Sequence, residues 1–266
     1  MRTRSLVLSL FGYAALVFIL APIVIVVIAS FSPARYMEFP PPSLSLRWYR
    51  EVLGSSDWLG AFGSSIVLAF CVATATTAAC FLAALVTTRR RFVGKSLLEM
   101  LVQAPLLLPN AALAMALLAL LVQIKGRGTL GGLWIAHCIL VMPFVYRPLV
   151  NGLRQFDLGL EEAAMTLGSP PLRTFRLITL PAIKPSLITA FAFSFIISFD
   201  EVTASVFLVG VNYTTLPVKI LSDIQSDATP AIAAVSTLLM LLTMTFVTIV
   251  SRMVGIGRVI GSRSGH

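Results

Sequence analysis

Long apolar segments are the feature that most limits what this chain can fold into. Six of them occur in the 266 residues, each about 20 to 28 residues long. At a rise of about 1.5 Å per residue, an α-helix of that length crosses a hydrocarbon core about 30 Å thick. The predicted membrane spans are residues 5–28, 64–87, 97–124, 130–150, 186–209 and 231–254.

The apolar character of these segments is continuous rather than alternating, which favours helices over a membrane β-barrel. Backbone polar groups have no water to bind in lipid, and a helix satisfies them within the segment. Charged residues make up 12% of the chain, about half the share that is typical of soluble domains. We therefore expect an all-α integral membrane protein with about six transmembrane helices, forming a single domain over residues 1–266.

The distribution of Lys and Arg indicates how the chain is oriented. The net charge of +9 would suggest a nucleic-acid partner in a soluble protein, but here membrane topology explains it and no nucleic-acid partner is expected. With the N-terminus inside, the inside segments hold 13 Lys and Arg residues and the outside segments hold 6. Because basic residues collect in cytoplasmic loops, both termini are predicted to be cytoplasmic.

The predicted cytoplasmic loop at residues 151–185 is much longer than a helix–helix connection requires. Its apolar residues fall at i, i+3, i+4 and i+7 of one helical face: Leu160, Ala163, Ala164 and Leu167. Gly168 is well placed to end that helix. The following Ser169 and Pro170 are typical of the cap and first position of a second helix. The loop is thus predicted to be two short helices that dock a soluble partner, with a packed cytoplasmic cap as the alternative.

The same loop carries a resemblance to a known family. Glu162-Ala163-Ala164-x3-Gly168-x9-Ile178-x-Leu180-Pro181 resembles the EAA loop of binding-protein-dependent ABC importer permeases, and the match is complete over twenty residues. Residues 104–110 look like the proline-bearing helix of that family. Residues 198–202 and 215–217 look like its spermidine/putrescine branch.

The resemblance implies a type I ABC importer permease fold in a bacterial inner membrane. This chain and a second permease, expected to be a paralogue, would form the pore, and an extracytoplasmic binding protein would deliver the solute. Two copies of a cytoplasmic ABC ATPase would bind the EAA loop and transmit their closure through it. The residues predicted to couple to the ATPase are Glu161, Glu162, Ala163, Ala164, Gly168, Leu172 and Phe175, the last two inferred from their apolar character.

The sequence contains no catalytic pattern. It has no GxxxxGK[ST] phosphate-binding loop, so ATP and Mg²⁺ are expected on the partner ATPase and no cofactor or metal is expected in this chain. His137 lies in an apolar span and is interpreted as a packed or weakly polar residue rather than a ligand. The chain is therefore not expected to be an enzyme, although a membrane enzyme with clustered polar groups is an alternative class.

An acidic pair, Asp200 and Glu201, falls within the predicted fifth span. Ionisable residues inside a span are rare and usually face a cavity. Our hypothesis is that at least Asp200 lines the solute path and favours cations such as polyamines, because fixed negative charge attracts them. The alternative is an ion pair between helices or a gate contact. Asn110 and Gln103 are weaker candidates for the path, since either could equally form a hydrogen bond between helices.

Two other functions stay open at this stage. The solute could be an opine, 4-aminobutyrate, an aminophosphonate or another small organic molecule, because in this family the binding protein largely sets selectivity. An ion-coupled secondary transporter is the alternative of another class. Such transporters often have ten or more spans built from repeats, whereas this chain has six and no evident repeat.

Overall fold

The computed structural model of the protein describes residues 2–210, 213–226 and 229–255. Within those ranges the chain is mostly helical, and the only β-pairing is an isolated bridge between Gly210 and Tyr213. The helices are α1 Arg2–Ala29, α2 Arg47–Gly54, α3 Ser56–Arg89, α4 Lys95–Gln103, α5 Asn110–Gln123, α6 Leu130–Gln155, α7 Gly159–Thr166, α8 Pro171–Thr174, α9 Leu180–Phe199, α10 Thr203–Leu208, α11 Leu216–Ser226 and α12 Pro230–Val254. The predicted all-α class is confirmed.

Five helical segments in the described part of the chain are long and apolar enough to cross a membrane, and a bent pair of helices can supply a sixth span. The five are Ser9–Ala29, Ser56–Arg89, Leu130–Gln155, Pro171–Phe199 and Pro230–Val254. Four of the predicted spans therefore correspond to single helices with shifted ends. The largest shift is in α3, whose 34 residues begin eight positions before the predicted start.

The third span is not the single helix predicted over residues 97–124. Its two parts, Lys95–Leu107 and Asn110–Gln123, meet at an angle of 111°. Leu108 between them is extended, with φ −105° and ψ 141°. The physical reason is Pro109, whose ring disfavours the helical conformation of the preceding residue. The sequence marks this proline but does not reveal that the chain turns so sharply there.

The fifth span also differs from its prediction, because it neither starts at residue 186 nor continues to 209. Helical structure begins at Pro171, passes through a π-helical turn at Phe175–Thr179, and ends at Phe199. The chain breaks at residues 200–202 and restarts as α10 at Thr203. The acidic pair therefore lies in a break rather than inside a helix.

The chain divides into two compact units, the first formed by Met1–Gly60 and Lys219–Met244. In this unit, hydrogen bonds connect α2 to the segment that follows α1. The Ser30 and Tyr49 hydroxyls lie 2.6 Å apart, and Trp48 Nε1 donates to the Ala34 carbonyl at 3.1 Å. The apolar side chains of α1 are exposed along its length from residue 9 to 25, as suits a helix whose surroundings are apolar.

The second unit, Ala61–Val218 with Thr245–His266, contains the predicted coupling loop and the acidic pair. In it α6 packs against α9, and α10 packs against α5 and α6. The buried core is mainly aliphatic and is built around α6, with Leu133, Leu140, Val145 and Leu149 among its members. The prediction of one domain over residues 1–266 stays a prediction.

Candidate functional site

The loop between α6 and α9 contains the short helix that the apolar pattern predicted. Before α7, Asp157 Oδ1 accepts a hydrogen bond from the Gly159 N–H at 2.9 Å. At the other end the N–H of Ser169 donates to the Ala164 carbonyl at 3.0 Å. Gly168 has φ +90°, a conformation that costs little only for glycine. The prediction that Gly168 ends this helix is confirmed.

The predicted start of the second short helix is wrong by one residue. Pro170 is extended, with ψ 150°, and the helix begins at Pro171. A proline disfavours helical geometry in the residue before it, so Pro171 excludes Pro170 from the helix. Ser169 does not cap the backbone of α8. Its Oγ instead accepts a hydrogen bond from the Thr174 hydroxyl at 3.0 Å.

The predicted coupling residues divide into an exposed set and an inward set. Glu162, Ala163 and Gly168 are exposed, and Leu172 keeps 62% of its surface accessible. Phe175 is half-buried, and its ring stacks on that of Phe81 in α3, with centroids 6.3 Å apart. Leu172 is therefore accessible to a partner, whereas Phe175 packs within the protein.

Glu161 belongs to the inward set and connects α7 to two other elements. Its Oε1 and Oε2 accept hydrogen bonds from Arg89 Nη2 at 2.6 Å and Nη1 at 3.0 Å. The Thr179 hydroxyl, which is fully buried, also donates to Oε1. Arg89 is the last residue of α3 and Thr179 the last of the π-turn before α9. We call Glu161, Arg89 and Thr179 the loop anchor.

The loop anchor holds Glu161 in its charged form. Burial of this side chain, which is 13% accessible, by itself raises the pKa of the carboxyl. The hydrogen bonds from Arg89 and Thr179, together with the charge of Arg89, outweigh burial, so the net pKa is lowered. Two parallel N–H···O bonds to a carboxylate also fix its orientation. This one carboxylate therefore links α7 to both α3 and the start of α9.

The two residues of the acidic pair have different environments in the break after α9. Glu201 is half-buried, and its Oε1 accepts a hydrogen bond from the Ala204 N–H at 2.8 Å, which caps the first turn of α10. Asp200 is exposed. Within the described ranges, no hydrogen bond or ion pair reaches the Asp200 carboxylate. Of the pair, Asp200 is therefore the one whose charge is available to a solute.

Aromatic rings lie next to Asp200 in the sequence and continue away from it. Phe199 stacks on Phe195 at 5.9 Å between centroids and meets Phe62 edge-on at 6.2 Å. Phe195 in turn stacks on Phe246 at 5.0 Å. The sequence reasoning missed this group, although Phe195 and Phe199 are spaced i, i+4 and so share a helix face. Aromatic faces attract organic cations, and so does a carboxylate.

The two weaker path candidates, Gln103 and Asn110, form no hydrogen bond with the acidic pair in the described part of the chain. Gln103 Nε2 donates to the Glu99 carbonyl of its own helix at 3.2 Å. Asn110 is exposed at the first position of α5, just after the sharp bend. Among the residues that the structure describes, no hydrogen bond joins either side chain to Asp200 or Glu201. Their assignment to the solute path stays a prediction.

Several helices long and apolar enough to span a membrane, together with an exposed, internally anchored loop between two of them, are typical of a multi-pass membrane protein. The sequence matches the family described as the binding-protein-dependent transport system inner membrane component over residues 75–255. That match covers more than half of the chain and includes both the loop and the acidic pair. The chain belongs to this family. Membership in this family confirms the prediction of an importer permease and argues against the alternative, an ion-coupled secondary transporter.

Individual relatives agree with that assignment. The chain is 33% identical over 243 residues to the putrescine transport system permease protein PotI of Escherichia coli (strain K12), covering 88% of this chain and 85% of the relative. It is 30% identical over 248 residues to the spermidine/putrescine transport system permease protein PotC of Haemophilus influenzae, covering 92% and 95%. A crystal structure of a bacterial ABC transporter involved in the import of the acidic polysaccharide alginate matches with a TM-score of 0.69 over 96% of both chains, at 14% identity. The ABC importer permease fold is thereby confirmed.

Proposed function

We propose that this permease subunit forms half of the pore of an ATP-driven importer for an aliphatic polyamine, putrescine or spermidine. The observation that carries the substrate class is the exposed Asp200 carboxylate in the helix break, which directly follows the stacked Phe199 in the sequence. An ammonium group gains from a carboxylate through charge attraction and from an aromatic face through its quadrupole. The names of the relatives PotI and PotC point to the same substrate class.

The remaining assembly is part of the proposal. A second permease, a paralogue of this chain, completes the pore in a bacterial inner membrane, and an extracytoplasmic binding protein delivers the polyamine. Two copies of an ABC ATPase bind below and hold the ATP and Mg²⁺, so this chain needs no cofactor of its own. The family description, which names a binding-protein-dependent system and an inner membrane component, supports this arrangement.

The loop provides the proposed route from ATP hydrolysis to the pore. Its exposed set, with Glu162, Ala163 and Leu172, meets a groove on the ATPase. The loop anchor then transmits the movement of α7 to the ends of α3 and α9. Since α9 leads directly to the break that carries Asp200, a push on the loop reaches the proposed solute path along one helix.

Uptake of labelled putrescine by cells that carry the complete transporter tests the substrate proposal. Asp200→Asn keeps the side-chain volume but removes the charge, so we expect the KM for uptake to rise about tenfold, the equivalent of about 1.4 kcal/mol. Asp57→Asn is the matched control, because Asp57 is an exposed carboxylate in the first turn of α3. It should leave uptake unchanged.

Each result has a defined meaning. Equal KM values and equal maximal rates for Asp200→Asn and the native chain would remove Asp200 from the solute path. Absence of putrescine and spermidine uptake in cells with the native chain would reject the polyamine and leave another small organic solute. Neither result would alter the family assignment, which depends on the match over residues 75–255.

A further inference from the structure

His137 is a buried polar residue that the transport mechanism described so far does not use. It lies in α6, is 1% accessible, and has a hydrogen-bond partner at each ring nitrogen. Nδ1 is 2.9 Å from Ser198 Oγ, and Nε2 is 3.0 Å from Ser205 Oγ. Both serines are buried as well. A histidine whose two nitrogens are both satisfied inside an apolar core has its ring orientation fixed.

The partners of His137 lie on opposite sides of the helix break. Ser198 is in the last turn of α9 and Ser205 is in α10, while residues 200–202 connect them. The imidazole therefore joins the two helix ends from a third helix. Because α6 packs against both α9 and α10, the ring links the two ends of the break to one and the same helix.

The hydrogen-bond network assigns the direction of each bond. The Ser205 hydroxyl donates its single hydrogen to the Glu201 carbonyl at 2.7 Å, so its oxygen accepts from His137 Nε2–H. A neutral imidazole then has Nδ1 as its acceptor, and the Ser198 hydroxyl donates to it. A neutral ring satisfies every polar atom here, whereas a buried cation would be costly.

The chain of bonds ends on the residue that follows Asp200. Ser205 binds the backbone carbonyl of Glu201, and the Glu201 carboxylate binds the Ala204 N–H. The backbone of Glu201 is thus held from both its carbonyl and its side chain. Since Asp200 is the preceding residue, the position of its Cα, from which the carboxylate extends, depends on how this backbone is held.

We propose that His137 is a positioning residue that holds the break between α9 and α10 and thereby fixes where Asp200 presents its carboxylate. The effect on transport rests on the proposed function, because it requires Asp200 to line the solute path. The effect on geometry does not. A ring that bound only one side of the break would stabilise the core but would not fix the position of one helix end relative to the other.

The geometric part is tested on the purified transporter complex, with Cys71, Cys80 and Cys138 replaced by Ala and with Asp200→Cys as a probe. A cationic thiosulfonate reagent reports how accessible that thiol is. One hydrogen bond contributes about two- to tenfold to an equilibrium. We therefore expect His137→Leu to change the labelling rate at position 200 by at least that factor. Ser198→Ala and Ser205→Ala should each give a smaller change.

A probe at a distant site separates local from global effects. Val93 is fully exposed in the turn between α3 and α4, so the labelling rate of Val93→Cys should be the same with and without the His137→Leu substitution. If His137→Leu prevents assembly of the complex, the two serine variants test the proposal instead. Each removes one hydroxyl and leaves the His137 ring in the core. Unchanged labelling at position 200 in both serine variants would overturn the proposal, as would unchanged labelling in an assembled His137→Leu complex.

Uptake kinetics in the chain with its native Asp200 connect the geometry to transport. We expect His137→Leu to raise the KM for putrescine more than it lowers the maximal rate, and His137→Gln, whose amide can reach Ser205, to recover part of the loss. Altered labelling with an unchanged KM would support the role of His137 in the break while rejecting Asp200 as a solute contact. The two proposals are therefore distinguishable by experiment.

Discussion

Two pairs of adjacent acidic residues, one in the cytoplasmic loop and one in the helix break, follow the same rule with different partners. In each pair one carboxylate is bound internally and its neighbour is exposed. Glu161 is bound and Glu162 is exposed in the loop, whereas Glu201 is bound and Asp200 is exposed in the break. In both places one member of the pair anchors its segment and the other is exposed and available to a partner.

The pairs differ in what the anchoring carboxylate binds. Glu161 binds Arg89, which is 72 positions away in the sequence, and so joins separate helices. Glu201 binds the Ala204 N–H three positions away and so shapes only its own segment. The long-range restraint on the break comes from His137 instead. The loop is thus suited to transmit a movement, and the break to hold a geometry.

The largest effect is expected from changes on the exposed side of the loop. Gly168→Asp places a side chain at φ +90°, which strains the turn, and Glu162→Lys reverses an exposed charge. Both should reduce uptake to the background of cells lacking the chain while ATP hydrolysis by the complex persists. Gly54→Asp is the control, because Gly54 ends α2 with open space around it. Intact uptake in both loop variants would remove the loop from coupling.

A smaller effect is expected from breaking the loop anchor. Arg89→Gln leaves the partly buried Glu161 carboxylate without its cation, so we expect uptake to fall about tenfold, the equivalent of about 1.4 kcal/mol. The double variant Arg89→Gln with Glu161→Gln should be less impaired than Arg89→Gln alone, because no unpaired charge remains. Strictly additive losses in uptake would show that Arg89 and Glu161 act independently and do not form one anchor for the loop.

The smallest effect is expected at the anchoring residue of the break. Glu201→Gln keeps an oxygen that can accept from the Ala204 N–H, so uptake should change less than about twofold. Glu201→Ala removes this cap and should cost about 0.5–2 kcal/mol in the stability of α10. Thermal unfolding of the purified complex and putrescine uptake measure the two effects. A loss with Glu201→Gln as large as that with Asp200→Asn would mean that both carboxylates contact the solute.

Local chemistry explains which features of the loop the sequence predicted. The helical face from Leu160 to Leu167 and the stop at Gly168 depend only on residues within a few positions of one another. The partners Arg89 and Thr179 of Glu161 could not be predicted, because their proximity depends on how α3 and α9 pack. The inward turn of Phe175 toward Phe81 has the same cause.

The membrane spans also show how little of the tertiary structure can be predicted from local sequence. Hydropathy located the apolar segments, but it averages over windows and does not register a break of two or three residues. Pro109 marks the bend in the third span, yet prolines also occur within the single helix α6, at Pro143 and Pro148. The break at Asp200 is stabilised by His137, 63 positions earlier in the sequence, which no local pattern reports.

The polyamine importer is tested most directly by uptake of labelled putrescine and spermidine into cells that carry the whole gene cluster, with this chain intact, deleted, or restored from a plasmid. We expect uptake to be lost on deletion, to return with the native chain, and to fail when ATP is depleted. Uptake that is unchanged by deletion would contradict the polyamine importer and direct the search for the solute to the binding protein.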